Sequence, residues 1–329
     1  MKKLTIAIPI YNGAKTIQRL LDCIFSQNFS TNDVDVIICD NGSTDNTLEV
    51  INPYQHKFTL FKNETNLGAD KNFELCVIRS KSEYVWILGD DDYLKDNAVN
   101  EILAKIRYKS YACIFINFSL YDIKINKEVL PKFLHINEDI KVKGISQFIE
   151  STNIAANFLS AIIHNKRAFE SIDSSIYYHT HFLQFAVILD YVNDQEVLII
   201  ADPLVINMGD SSERDVNIGG GAVKTFNNLY GIVKNSKSKY LEEAERKKIG
   251  ILMQKMLKYR ILAAKRLGLK VDKIFLKDLI GNFKSYPGFW MFDLPLLATP
   301  KVLINLIYKV YRVPWINSIF IKHVYKSKK

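Results

Sequence analysis

Apolar and polar positions follow two rhythms over the first hundred residues. Leu4 to Ile8 is a short, apolar, β-rich run that predicts a strand. Ala14 to Ser26 then places Ile17, Leu20, Leu21, Ile24 and Phe25 at helical spacing. The alternation continues with a strand over Val34 to Cys39 and a helix through Leu48 to Ile51, capped by Ser43 or Asp45. A strand at Phe58 to Phe61, a helix from Ala69 to Arg79 and a fourth strand at Tyr84 to Leu88 complete it. Strands that are apolar on both faces and separated by helices predict an α/β fold with a mostly parallel central sheet flanked by helices.

After Asp92 the pattern is less regular. It predicts a helix at Asn97 to Arg107, a strand at Ala112 to Phe118, and a hairpin or excursion over Tyr121 to Val142. A helix at Ile145 to Ser151, a strand at Phe158 to Ile163 and a helix start at Lys166 to Ser171 follow. His181 to Leu189 has helical spacing, Glu196 to Ile200 reads as a strand, and Pro203 to Asn207 as extended chain. Near Asp210 the character changes: Ser211, Ser212 and Gly219 to Gly221 mark a loop or linker. We therefore expect one domain over residues 1–215, with halves at 1–95 and 96–215. A mainly helical, basic region over 216–329 follows, beginning with helices between Thr225 and Leu267.

Composition narrows the function classes. Apolar residues at 48% and charged residues at 24% exclude wholesale disorder. A formal charge of +9 favours anionic partners: phosphorylated ligands, acidic lipid or nucleic acid. No CxxC pair occurs among Cys23, Cys39, Cys76 and Cys113, which read as buried thiols in a reducing compartment. Lys2 and Lys3 precede an apolar stretch that Pro9 cuts short, so no signal peptide is expected, and no run of 18 apolar residues predicts a membrane span.

The stretch Gly89-Asp90-Asp91-Asp92 directly follows the fourth strand. Adjacent carboxylates repel, so a fold tolerates them in solvent or opposite a cation. The carboxyl end of a parallel strand is where open α/β sheets bind ligands, and Mg²⁺ or Mn²⁺ takes one or two carboxylates plus phosphate oxygens. An acidic surface turn is the alternative. Asp40, in Cys39-Asp40-Asn41-Gly42-Ser43-Thr44-Asp45, ends the second strand and can accept hydrogen bonds from a base or ribose, while Asp45 reads as a helix cap. Tyr11, in Ile8-Pro9-Ile10-Tyr11-Asn12, either stacks on a base or packs in the core. Asn66-Leu67-Gly68-Ala69-Asp70-Lys71-Asn72 opens the third helix, whose free N–H groups with the Lys71 cation suit a diphosphate; Lys71 as a solvated helix residue is the alternative.

The order of these motifs resembles the inverting family 2 glycosyltransferases with the GT-A nucleotide-diphospho-sugar transferase fold. The NLGADKNF and LGDDD wording is similar to their abequosyltransferase-like branch, which serves bacterial surface polysaccharides such as O-antigen and capsule. The resemblance is strong over residues 1–95, weaker to about 210, and absent beyond. It implies inverting transfer of a hexose or deoxyhexose to an acceptor hydroxyl from a nucleotide diphosphate. Uridine would be the usual base and cytidine an alternative. It implies that Pro9, Tyr11, Asn12, Asp40, Asn66, Lys71, Asp90 and Asp91 bind the donor. Asp92 and Asp90 would be the metal ligands of a DXD-type motif, holding Mg²⁺ or Mn²⁺.

Most of the family carries a catalytic Asp at the start of a late helix. Here that region reads Tyr177-Tyr178-His179-Thr180-His181-Phe182 and has no acid, which points to His181, with His179 second, as the base. Asp190 is a fallback. Met208 to Ser212 reads either as a lid or as a surface turn.

From Lys301 to Lys329 there are seven Lys or Arg residues, no acid, and interleaved aromatics including Trp315 and Phe320. No nucleic-acid-binding signature occurs, so nucleic acid is not an expected partner. The expectation is an amphipathic segment on an anionic membrane surface, placing the protein in the cytoplasm on the inner face of the membrane. A lipid-linked or growing oligosaccharide acceptor would fit that location. The competing readings are a sugar nucleotidyltransferase, although residues 8–20 hold only Gly13, and a non-catalytic sugar-nucleotide or glycan-binding partner of a synthase complex.

Overall fold

A computed structural model describes residues 2–152, 157–192, 195–209, 222–236, 241–269 and 271–311. Two compact units divide the chain: Met1–Asp210 with Asn235–Ile249, and Ser211–Lys234 with Gly250–Lys329.

The first unit is built on a sheet of ten strands among the described residues. They are β1 (Leu4–Ile10), β2 (Val34–Asp40), β3 (Thr59–Lys62), β4 (Tyr84–Ile87), β5 (Tyr93–Leu94), β6 (Cys113–Asp122), β7 (Lys127–Leu130), β8 (Ile140–Lys143), β9 (Ile162–Asn165) and β10 (Glu196–Gly209). The main path runs β3-β2-β1-β4-β9-β6-β10-β5. β3, β2, β1 and β4 are parallel, as the alternation of strands and helices predicts. The second half is mixed, because β9 enters antiparallel between β4 and β6 while β6 and β10 run parallel. Helices α1 (Ile17–Ser26), α2 (Thr47–Ile51), α3 (Ala69–Arg79), α4 (Ala98–Ile106), α5 (Ile145–Ser151), α6 (Lys166–Glu170) and α7 (Leu183–Tyr191) connect these strands.

Ile6, Ile8, Ile38, Trp86 and Ile87 are fully buried along the central strands. Each aliphatic side chain of this kind contributes about 1.5–3 kcal/mol through removal from water. The chain moves outward from β1 to β3 and then returns to β4 on the other side of β1. The junction of β1 and β4 is therefore a topological switch point, where the loops after parallel strands separate and leave a crevice.

Local chemistry moved several boundaries. The strand expected at Phe158 to Ile163 begins only at Ile162, after a 3₁₀ turn at Leu159–Ala161. Ser160 is diverted there, with its carbonyl accepting the Trp86 indole N–H at 2.9 Å and its hydroxyl accepting the Gly89 N–H at 2.8 Å. The helix expected from His181 starts at Leu183, since His181 itself has φ 59°. The expected strand and extended segment near Ile200 form one strand, β10, with register shifts around Pro203, whose missing N–H interrupts the ladder. β5 was not legible; its two residues pair with Val205 and Ile206.

In the second unit, helix Lys273–Phe283 is capped by Asp272, which accepts the Phe275 N–H at 2.8 Å. Phe283 stacks on Tyr230 and Phe289 inside it. Of the 25-residue helix Glu243–Leu267 the part from Gly250 onward belongs to this unit, and helix Lys301–Tyr311 begins the basic tail. The linker at Gly219 to Gly221 and the tail beyond Tyr311 lie outside the described residues. No described helix is long and apolar enough to cross a membrane.

Candidate active site

Three loops leave the carboxyl ends of β1, β2 and β4 and meet at the switch point. After β1 the chain turns at Asn12 in a left-handed conformation (φ 55°) that an Asn side chain tolerates well. Asn12 laces this turn to the next loop: its N–H donates to Ser43 Oγ at 2.9 Å, and its Oδ1 accepts the Thr44 N–H at 2.8 Å. Tyr11, immediately before, is 46% exposed, so it stands at the crevice rather than in the core. Pro9 lies beside Cys39 in the ladder.

Asp40 is fully buried at the end of β2 and accepts the Ser43 N–H on both oxygens, at 3.1 and 3.3 Å. Asp45 accepts from Thr47 and from the Ala14 N–H, and the Thr47 hydrogen bond above all holds its carboxyl below the usual range. It thus ties the first two loops together one residue ahead of Asn46, which takes the N-cap position of α2 in place of the expected Asp45. Asn66 is connected through Asn41, whose amide donates to Asn66 Oδ1 at 2.9 Å and accepts the Leu67 N–H at 3.0 Å. Asn63 and Asn72 extend this amide network to the Cys39 carbonyl.

The acidic triplet divides. Asp90 hydrogen-bonds Thr16 at the start of α1 and lies against Gly13, where an added Cβ would stand 2.5 Å from its Oδ2. Asp91 and Asp92 instead flank Gly89: a Cβ there would lie 3.1 Å from Asp91 Oδ1 and 3.2 Å from Asp92 Oδ2. Asp92 is only 4% exposed, with Ser160 Oγ donating to Oδ2 at 2.6 Å and Asn207 Nδ2 to Oδ1 at 3.2 Å. Burial, reinforced by the Asp91 charge, pushes the Asp92 carboxyl up to about 8, and burial raises Asp90 and Asp91 as well.

Among the described residues no three His, Cys, Asp or Glu groups gather to hold a metal alone. Two carboxylate oxygens that crowd the space a Cβ on Gly89 would take suit an ion that takes one or two carboxylates and completes its shell from phosphate. The residues fit on those terms.

Lys71 and the histidines lie along another side, at the start of α3. Lys71 pairs with Glu74 and donates to Tyr178 Oη at 2.7 Å; these hydrogen bonds raise its pKa. Burial alone would raise Glu74, yet Lys71, Ser174 and Tyr178 together bring it below the ordinary carboxylate value. The cation expected at the diphosphate is thus held by Glu74 and Tyr178. The His181 N–H donates to Asp70 Oδ2 at 3.1 Å, which fixes the turn His179-Thr180-His181 against the first turn of α3. Both histidines have positive φ and exposed side chains. Asp190 is a buried residue of the last turn of α7 and accepts the Tyr177 hydroxyl at 2.7 Å. In the segment read as lid or turn, Met208 and Gly209 remain in β10 beside Tyr121 and Asp122, and Asp210 to Ser212 lie outside the described residues.

Ser160, Asn207 and Glu74 lie outside the motifs, and Asn41 and Tyr178, inside them, carry no role that the motifs assign. One signal was legible for Ser160, a lone hydroxyl inside the apolar run Phe158 to Ile163.

Among solved structures, that of Staphylococcus aureus TarS 1-349 with UDP-GlcNAc superposes with a TM-score of 0.64 at 17% identity, covering 87% of this chain and 82% of that one. The mannosyltransferase PcManGT from Pyrobaculum calidifontis, with GDP-Man and Mn²⁺, gives a TM-score of 0.52 at 11% identity over 94% and 88% of the two chains. These likenesses establish the GT-A fold. In sequence the chain is similar to the abequosyltransferase RfbV of Salmonella typhimurium, 25% identical over 63% of this chain and 67% of that protein. It is also similar to the chondroitin synthase of Pasteurella multocida, 37% identical over 34% of this chain, although the match spans only 12% of that synthase. Residues 5–170, half of the chain, match the family described as Glycosyl transferase family 2, so the motif order, the switch-point crevice and the fold agree, and the chain belongs to that family of glycosyltransferases.

Proposed function

We propose that the protein transfers a sugar from a nucleoside diphosphate to an acceptor hydroxyl with inversion at the anomeric carbon, in the synthesis of a bacterial surface polysaccharide. The observation that carries this reading is the meeting of exposed Tyr11, buried Asp40 and the Asp91–Asp92 cradle at one switch point. The solved relatives that hold UDP, UDP-GlcNAc or GDP-Man support a nucleotide-sugar donor. Tyr11 stacks on the base, uridine or cytidine, and the loops carrying Pro9, Asn12, Asp40 and Asn66 surround the nucleoside. Asp90 braces the Gly13 turn beneath them.

Mg²⁺ or Mn²⁺ would be held by Asp92, with Asp91 beside it, and would supply electrostatic stabilisation of the charge that develops on the departing diphosphate. Lys71, braced by Glu74 and Tyr178, adds positive charge near the start of α3. The neutral imidazole of His181 takes the acceptor hydroxyl proton as the new C–O bond forms opposite the breaking one. The electron pair of the broken bond leaves with the nucleoside diphosphate. His179 is the second candidate for the base. The cytoplasmic face of the membrane, with a lipid-linked or growing oligosaccharide acceptor, is the proposed location, supported by the basic tail.

The test is release of nucleoside diphosphate from uridine, cytidine and guanosine diphosphate sugars with Mn²⁺, in wild type, Asp92→Ala and His181→Ala. Wild-type turnover and losses of about 10²-fold or more in both variants are expected. An Asp92→Ala chain that turns over like wild type overturns the site. Donor binding without any wild-type turnover makes the protein a binding partner instead of an enzyme.

A further inference from the structure

The second unit carries an outer surface that the transferase reading leaves unused. Its short π-helical turn Phe289–Asp293 buries Phe289 and Asp293 and turns the three residues between them outward. Trp290, Met291 and Phe292 are 47%, 67% and 52% exposed. One exposed apolar side chain is ordinary, but three large ones in succession mark a contact surface.

Cations surround this tip. Lys258 Nζ sits 5.7 Å from the Phe292 ring and 5.2 Å from the ring of Tyr259, which is itself partly exposed. The Trp290 indole N–H donates to the Lys284 carbonyl at 2.8 Å, which brings a second lysine alongside. Asp293, the only acid of the turn, is fully buried and accepts from Gln254 at 2.8 Å. From Leu294 to Lys329 the sequence has no Asp or Glu. The following helix, Lys301–Tyr311, exposes Val302, Leu303 and Leu306 and buries Ile304.

Aromatic and thioether tips beside Lys258 and the Lys284 backbone match a lipid–water interface, where rings enter the headgroup layer and ammonium groups meet anionic phosphates. A second copy docked through the same face would oppose Lys258 and Lys284 to their own counterparts, which disfavours self-association.

We infer that Trp290, Met291 and Phe292 form a wedge that enters the headgroup region of an anionic bilayer. This deepens the membrane location proposed above and assigns the insertion to a folded turn upstream of the basic tail.

The test is co-sedimentation of the full chain with vesicles of phosphatidylcholine alone and with added phosphatidylglycerol. Trp290→Ser/Met291→Ser/Phe292→Ser is compared with a chain lacking residues 312–329. The triple variant should lose on the order of tenfold or more in partitioning onto the anionic vesicles while keeping its melting temperature. Binding equal to wild type overturns the wedge; if the tail deletion alone releases the protein, the membrane location survives without it. Wild type remaining in the supernatant removes both. A triple variant that changes the oligomeric state without vesicles, and leaves vesicle binding intact, makes the face a dimer contact and also overturns the wedge. In a Trp315→Phe chain, with Trp86 buried, fluorescence quenching by brominated lipid reports Trp290 in the intact turn. Quenching is expected, and unquenched emission overturns the proposal.

Discussion

Ser160 Oγ lies 2.6 Å from Asp92 Oδ2 and accepts the Gly89 N–H at 2.8 Å, so one hydroxyl holds both the carboxylate and the backbone beneath it. The cradle over Gly89 therefore takes its shape from the 3₁₀ turn before β9 as well as from the acidic triplet. Ser160→Ala strands a buried N–H and a carboxylate oxygen, which costs about 1–3 kcal/mol. It should lower the melting temperature and slow donor turnover by roughly ten- to a hundredfold through loss of alignment. Thermal denaturation and nucleotide release check both; an unchanged variant would show that Asp92 is positioned without Ser160.

Asp92 also sets a pH dependence. Its carboxyl is held at about 8 in the folded protein, mainly by burial, whereas an unfolded aspartate titrates near about 3.9. The folded chain binds the extra proton between those values, so this stabilisation is fully present below the unfolded pKa. It is lost as pH rises through the folded one. In chelator, the wild-type melting temperature should fall between about pH 5 and 8.5 relative to Asp92→Asn, which cannot titrate there. Parallel profiles for the two proteins would mean that the carboxylate is not held protonated.

The strands that place this site were legible because their burial on both faces leaves short, predominantly apolar runs, broken by Thr5 in β1 and Asp35 in β2. Leu4, Val34 and Tyr84 each begin a strand where the run begins. Helix α3 was legible to both ends, Ala69 and Arg79. Features fixed by tertiary pairing had no periodic signal. The two residues of β5 are too few for a period, and Ser160 lies in a turn ahead of β9 where Gly89 and Trp86 bond it. The triplet's order in sequence did not show that Asp90 braces Gly13 while Asp91 and Asp92 share the Gly89 cradle. Lys71 could be seen as a cation at a helix start, but its partners Glu74 and Tyr178 bring together residues about a hundred positions apart.

Asn41 offers a prediction that separates binding from chemistry. Its side chain holds Asn66 Oδ1, the Leu67 N–H, the Gly68 carbonyl and the Asn63 amide, and so fixes the entrance to α3 against the end of β2. Asn41→Ala should cost about 1–3 kcal/mol of stability and raise the donor KM more than it lowers kcat. Asn41→Asp keeps the acceptors and loses the donors, so an intermediate effect is expected. A fall in kcat with unchanged KM would place the network in the chemical step instead.

Asp70 supplies the sharpest test of the histidine base. Its Oδ2 accepts the backbone N–H of His181, a residue held at φ 59° with its ring exposed. A non-glycine residue keeps that conformation only where its surroundings impose it. Asp70→Ala should therefore let the His179–His181 turn relax, lowering kcat roughly ten- to a hundredfold while leaving the donor KM within about twofold. Asp70→Asn retains a carbonyl acceptor and should stay near wild type. His181→Ala should cost about 10²–10⁴-fold, the usual worth of a general base. If Asp70 acts by positioning that imidazole, removing it from a chain that already lacks His181 should change kcat little, because two groups serving one function are not additive. Independent losses that multiply in the double variant would mean that Asp70 supports catalysis by another route, and that His181 is not the group it serves.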